Sequence, residues 1–291
     1  MIIRDKPGPR DLLFALRGSV LPALLPSLAV IGLWTFGLIL VNAFFAPLPH
    51  LSPTPFTVLG VALSLSLGFR NNAAYDRWWE ARRLWGGLLA DTRCLVREAA
   101  LFLPDPQDRD RLLRAQRAFV HLHRCALRNQ PPDALARRDG DLATADAALD
   151  AMTDLLTKAQ RNGRLDGFGA RTLSERLSGI ALAQAGCERI RQTPLPYVYS
   201  LLIFRTAWAY CALLPFALLN QTGTLAPLLT VLVAYTFLGL AEVTEDLAHP
   251  FGTSANAMPL DAICRTCDIA LAPPLGDPVP PALAPKGFRL D

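Results

Sequence analysis

The chain has 291 residues, 52% hydrophobic and only 19% charged, with a formal net charge of +4 and a mean hydropathy of +0.27. That balance is too apolar for an ordinary soluble domain, and the charge is too small to argue for nucleic acid as a partner. The length allows one large or two modest domains.

Residues 1–17 carry Arg4, Lys6, Arg10 and Arg17, and Gly18 to Phe45 follows as an apolar run broken only by Ser, Pro, Thr and Asn. A signal peptide would have a shorter apolar core followed by a small-residue cleavage site. At ~28 residues the run can span a bilayer with tilt. It reads as a retained first transmembrane helix whose basic flank stays in the cytoplasm. Ala46 to Pro55, APLPHLSPTP, has no Lys or Arg and reads as a short external loop.

The next stretch, Pro55 to Glu98, organises the chain. Its apolar part runs only from Phe56 to Phe69 before Arg70-Asn71-Asn72, whereas a helix needs ~20 apolar residues to cross hydrocarbon. Part of its circumference therefore never meets lipid. Val61, Leu65 and Phe69 are spaced i, i+4, i+8 and form one row on a helix. Around them lie Gly60, Ala62, Ser64, Ser66 and Gly68, small residues that let membrane helices approach closely. The helical period continues through Tyr75, Trp78, Trp79, Leu84 and Trp85, so one helix leaves the membrane and runs on into the cytosol. By spacing alone, the apolar row is simply the face with which a membrane helix packs.

From Arg70 to about Arg191 arginines alternate with Asp and Glu. Leu112, Ala115, Phe119, Leu122 and Ala126 repeat at helical spacing. LPDPQD at Leu103 and QPPD at Gln130 mark turns. Thr144–Lys158 and Ser174–Arg191 read as further helices, and no strand alternation is evident. Pro194–Leu219, with Arg205 inside it, and Leu225–Leu240 are the last apolar runs, joined by the uncharged hairpin NQTGT. Glu242, Glu245, Asp246 and His249 then mark a return to the cytoplasm, and the Pro-rich tail from Ala272 reads as extended, wrapped on a neighbour or disordered.

The fold expected is all-α, a multi-helix membrane protein with four membrane-inserted segments and both termini cytoplasmic. Its blocks are 1–100 (two membrane segments), 101–193 (helical cytoplasmic region), 194–246 (two more segments) and 247–291 (tail).

The string LGFRNNAAYDRWWEARRLWG resembles the bestrophin family, and within it the bacterial homologues. The matching residues are Gly68, Phe69, Arg77, Trp78 and Trp79. Further matching patches are IRQTPLPYVYS at Ile190–Ser200 and His249-Pro250-Phe251-Gly252. The resemblance implies five copies around an axis, so that Val61, Leu65 and Phe69 become apolar rings of a pore neck. Such rings set a barrier by diameter and dewetting. It also implies a second apolar ring at the cytoplasmic end, for which Ile180 is preferred and Leu177 is the other candidate; either could instead pack in the core. Gly68, Arg77, Trp78, Trp79, Pro250, Phe251 and Gly252 would be packing residues of the family motifs. The tryptophans Trp78, Trp79 and Trp85 would form an interfacial belt or pack between subunits.

Animal relatives follow the Pro-Phe-Gly motif with carboxylates of a calcium clasp. Here TSANAM follows, and calcium wants several oxygen ligands including carboxylates, so no clasp is expected. Cys264-Arg265-Thr266-Cys267 is a lone CxxC, a weak metal or redox signal. His121 and His123 are two apart on a helix and point to different faces. No catalytic constellation, metal site or cofactor is expected, and Arg205 must lie near an interface or find a carboxylate in the assembly.

The expected function is thus a homopentameric channel in the bacterial inner membrane. It would pass small monovalent ions, with cations such as sodium and potassium favoured because of the bacterial likeness and the missing clasp. An anion channel of the same fold and a non-conducting membrane adaptor are the alternatives.

Overall fold

A computed structural model describes residues 1–4, 8–16, 18–45, 47–49 and 51–291. The flanking charges Lys6 and Arg17, and Ala46 and His50 of the expected loop, lie outside the described residues. The described chain is helical apart from turns and two isolated antiparallel bridges. Its helices are α1 (Pro9–Phe14), α2 (Leu21–Phe44), α3 (Pro53–Phe102), α4 (Pro106–Leu127), α5 (Ala145–Arg161), α6 (Gly167–Gln192), α7 (Tyr197–Thr222), α8 (Ala226–Ala248) and α9 (Leu260–Leu271). The four sequence blocks regroup into two compact units. One comprises Asp5–Trp78 with Pro194–His249; the other comprises Met1–Arg4, Trp79–Thr193 and Pro250–Asp291. The 50-residue α3 contributes residues to both.

The first unit is apolar. Leu24, Leu28 and Ile31 of α2 share a core with Phe56, Leu63 and Leu67 of α3, Ile203, Ala207 and Tyr210 of α7, and Ala234 and Leu238 of α8. Gly60 is the closest approach: a Cβ there would lie 3.1 Å from the Tyr210 hydroxyl. Because Gly60 has no side chain, Tyr210 can lie over α3, edge-on to both Phe56 and Phe237. Two stretches, Leu21–Phe44 and Tyr197–Ala248, are long and apolar enough to cross a membrane, and only 28% of either is buried within the chain. Helices of a soluble core would be mostly buried. The second stretch folds back at Gly223, whose φ of +51° suits glycine alone among common residues. The last helix is longer than the apolar pattern suggests: α8 continues to Ala248, so Glu242, Glu245 and Asp246 sit on its final turns.

The second unit is ionic and is built around α4. Every residue from Gln116 to Cys125 is buried, because α5, α6 and α9 all pack on this helix. A helix surrounded on all sides must bury its polar residues too, and these need partners. Arg117 makes two 2.6 Å bonds to Asp139 and a third to Asp277. Burial alone would lower its pKa, but the two carboxylates outweigh that and hold it raised. Arg124 donates to Asp133 and, at 2.6 Å, to Asp261, which also accepts from Arg128. His121 Nε2 lies 2.9 Å from Asp268, and Gln116 donates to Thr92.

Helix starts follow side-chain caps. Thr144 caps α5 through the amide of Ala147, and Asp166 caps α6 through that of Gly169. The last helix of the block therefore begins at Gly167 rather than Ser174. Gly169 belongs inside it because a Cβ there would come within 2.8 Å of Phe102 and Leu165. The last residues of the tail, 286–291, have partners within the chain, through the Ile2–Arg289 bridge and the bonds Ile3 N–H to Phe288 and Leu290 N–H to Met1.

Trp85 is wholly buried in this unit, which rules it out of a membrane belt or a subunit contact. It stacks on His123, which stacks in turn on Phe119, at centroid distances of 5.4 and 5.7 Å. Neither ring nitrogen of His123 has a hydrogen-bond partner among the described residues, and burial pushes its pKa down to about 4.

Two consequences can be measured on the full-length protein. Arg117→Ala removes both short bonds to the buried Asp139, leaving it only the longer contact to Arg114, while Asp277 keeps Arg138; unfolding stability should fall by ~3 kcal/mol in thermal or denaturant melts. His123 takes up its proton near its ordinary value of 6.5 once unfolded, but only at about 4 when folded. The unfolded state therefore binds more protons between these values. Stability should drop by roughly 3 kcal/mol as pH falls through that window and be flat above it; His123→Phe should remove this component of the pH dependence.

Candidate functional site

On α3 the residues that bury and the residues that do not lie on opposite faces. Phe56, Leu63 and Leu67 enter the apolar core, Leu63 and Leu67 only 3% and 0% exposed, and Ala74 is buried further along the same face. Val61, Leu65 and Phe69 are 56%, 58% and 73% exposed. Packing within the chain therefore does not account for this row. Between its members the helix is small and self-contained. Ser64 and Ser66 turn their hydroxyls back onto the carbonyls of Gly60 and Ala62, and a Cβ on Gly68 would meet nothing within 4 Å. Of the two glycines flanking this row, Gly60 and not Gly68 lies against a packed side chain.

Just past the row, Arg70 turns inward. It is buried, and one terminal nitrogen donates to Glu245 at 2.6 Å and to Ser200 at 2.7 Å. This ties α3 to the start of α7 and the end of α8. Arg77 Nε donates to the carbonyl of Ala248 at 2.7 Å and so caps the C-terminus of α8. Trp78 and Trp79 follow, Trp79 partly exposed. After α8 the chain turns through Pro250, Phe251 and Gly252. Phe251 is buried, and the Pro250 carbonyl accepts from the amide of Met258.

The second apolar ring does not fall where expected. Ile180 is 0% exposed and Leu177 7%, so their side chains serve the interior of the ionic unit. The physical reason is the phase of α6: Leu173, Leu177, Ile180, Cys187 and Ile190 form its buried face. On the opposite face Ser178, Leu182 and Ala185 are exposed. Leu182 is the large apolar residue there.

Four charged residues also escaped attention. Arg82, Arg83, Arg93 and Arg97 of α3 are exposed and have no ion pair among the described residues. Three carboxylates of the helix are already engaged, Glu80 by Arg189 and Asp91 and Glu98 by Arg176, while Asp76 is exposed without an ion pair among the described residues. Arg205 on α7 is likewise exposed without a carboxylate partner among the described residues.

No group of three or more metal-ligating side chains occurs among the described residues. Asp261, the first carboxylate after the Pro-Phe-Gly turn, is held by Arg124 and Arg128. All six cysteines are free, and Cys264 and Cys267 are fully buried with thiol pKa values pushed up by desolvation. Protonated, inaccessible thiols are poor nucleophiles and poor metal ligands.

The family model for bacterial and fungal bestrophin proteins matches residues 1–273. A voltage-dependent anion channel-forming protein of Mesorhizobium japonicum is 43% identical over 298 residues, covering 99% of this chain and 96% of the relative. The protein of the same description called YneE in Escherichia coli is 38% identical, covering 93% of each chain. A solved structure of a bacterial bestrophin homolog from Klebsiella pneumoniae superposes with a TM-score of 0.82 at 33% identity, covering 86% of this chain and 97% of that one. The match in sequence runs through all three motif patches, and the match in structure extends over both units. The chain belongs to the bestrophin family, in its bacterial and fungal branch.

Proposed function

We propose that this protein is an ion channel: a homopentamer in the bacterial inner membrane that conducts small monovalent ions through a neck of Val61, Leu65 and Phe69. The observation that carries this reading is the exposure of that row on the face of α3 opposite its own core. Three large apolar side chains in line, unclaimed by the chain that bears them, are suited to surround an axis with their symmetry mates. Rings of this kind admit ions by widening and wetting rather than by binding them. Four inserted segments follow if the first part of α3 joins α2, α7 and α8 in the bilayer. Residues 1–4 and 250–291 belong to the same ionic unit, which supports placing both ends of the chain on one side, the cytoplasmic one.

Anions are the better-supported cargo, in place of the cations expected from sequence. The relatives' names speak of anion channels. The charge balance on α3 agrees with them, since Arg82, Arg83, Arg93 and Arg97 stay exposed without an ion pair among the described residues, against Asp76 among its carboxylates, while Glu80, Asp91 and Glu98 are paired. Uncompensated arginines beside an ion path raise the local anion concentration. Leu182 on the exposed face of α6 replaces Ile180 and Leu177 as the candidate for a cytoplasmic constriction.

Purified full-length protein in a planar bilayer under a potassium chloride gradient should give protein-dependent current that reverses towards the chloride potential. Reversal towards the potassium potential would restore the cation reading. No current over many incorporations of pentameric protein would point to a non-conducting adaptor. Phe69→Ala should raise conductance with little change in melting temperature, because Phe69 is 73% exposed in its own chain. Leu67→Ala, two residues away, should instead cost ~2–5 kcal/mol of stability.

A further inference from the structure

A cavity of about 490 Å³ opens in the apolar unit, at the end where α2 and α7 begin and α8 finishes. Its lining is graded along the helix axes. On α7 the sequence of lining residues is Ser200, Phe204, Trp208, at i, i+4, i+8; on α8 it is Glu245, Glu242, then Leu238. Polar side chains thus sit at the mouth, and apolar ones continue for ~12 Å towards the middle of the bundle, at 1.5 Å of rise per residue. That is the polarity profile of one membrane leaflet seen from the headgroup inward.

The charges at the mouth are incompletely matched. Arg70 lines the cavity and is buried; one terminal nitrogen is used by Glu245 and Ser200, but its Nε–H has no acceptor among the described residues. Glu242 also lines the cavity and is exposed, with no cation beside it among the described residues. Arg70 with Glu242 and Glu245 leaves one net negative charge. Glu245 has Arg70 and, 3.6 Å away, the His249 ring, so the missing partners are an anionic oxygen for the guanidinium and a cation for Glu242, both on one molecule with an apolar body.

We propose that this cavity binds a phospholipid with a primary ammonium headgroup, phosphatidylethanolamine. Its ammonium donates to Glu242 and Glu245, its phosphate faces Arg70, and its chain lies along Phe204 and Leu238. A choline headgroup keeps the charge but loses every N–H donor, so the site discriminates between the two lipids. The inference requires the apolar unit to lie in a bilayer and does not depend on conduction, so a protein that passes no current can still bear it out.

The test uses full-length protein in detergent, stripped of lipid and titrated with phosphatidylethanolamine or with phosphatidylcholine of the same chains, read by native mass spectrometry. One ethanolamine lipid per subunit should be retained, about tenfold more tightly than the choline lipid, the worth of one charge-assisted hydrogen bond. Glu242→Gln should weaken the preference, and a cavity-filling Ala23→Phe should abolish uptake of both lipids. The mass of the intact assembly in the same spectra reports whether each variant folds. Equal binding of the two lipids, or an unchanged preference in Glu242→Gln, would overturn the proposal. Uptake of neither lipid by the parent protein would overturn it as well and would indicate that a neighbouring subunit covers the cavity.

Discussion

A single buried stripe along α3 constrains everything else. Phe56, Leu63, Leu67, Arg70, Ala74, Ala81, Trp85, Leu88, Thr92, Leu95 and Ala99 are all buried, and their steps are threes, fours and sevens, the period of a helix with one packed face. In the first half the stripe meets α2, α7 and α8; in the second it contributes Trp85 to an aromatic stack and Thr92 to a polar contact with α4. Once that face is committed, the other cannot pack inside the chain. Val61, Leu65 and Phe69 are left over by geometry, and so are Arg83 and Arg97. The same helix thereby packs one face within the chain and leaves the other unused by it.

The two units solve the burial problem in opposite ways. In the apolar unit nearly all core side chains are hydrocarbon, and polar groups such as Thr35 and Ser64 return their hydroxyls to carbonyls one turn back. In the ionic unit α4 is buried all round and carries two arginines, two histidines and a glutamine into the interior. Arginine suits this role because its planar fork bonds a carboxylate with two parallel N–H groups and stays charged at any physiological pH. Arg117 with Asp139 is the clearest case.

What could be read from the sequence was what depends on local period. The i, i+4, i+8 row on α3 was legible, as were the apolar runs that became α2, α7 and α8, and the absence of strand pattern. Interactions between distant positions were not. Arg70 meets Glu245 from 175 residues away and Arg117 meets Asp277 from 160; no local signal marks either pair. Ile180 was misplaced for a related reason. An apolar residue on a helix belongs to the core or to a surface according to a phase of about 100° per residue, and the buried heptad through Leu173 fixes that phase only when the neighbours of α6 are known. In the tail, proline and glycine argue against helix but say nothing about a partner, so the pairing of its last residues with residues 1–3 was not legible.

Ions at the surface of a protein feel the salt around them; ions within it scarcely do. Electrostatic screening acts over about 8–10 Å of electrolyte and has little purchase on charges from which electrolyte is excluded. The side chains of Arg117 and Asp139 are 2% and 1% exposed. A unit held by such pairs keeps its cohesion when the ionic strength beside it rises or falls, whereas one laced with exposed pairs would loosen and tighten with every change. For a protein proposed to pass ions, the scaffold is thus insulated from its own cargo.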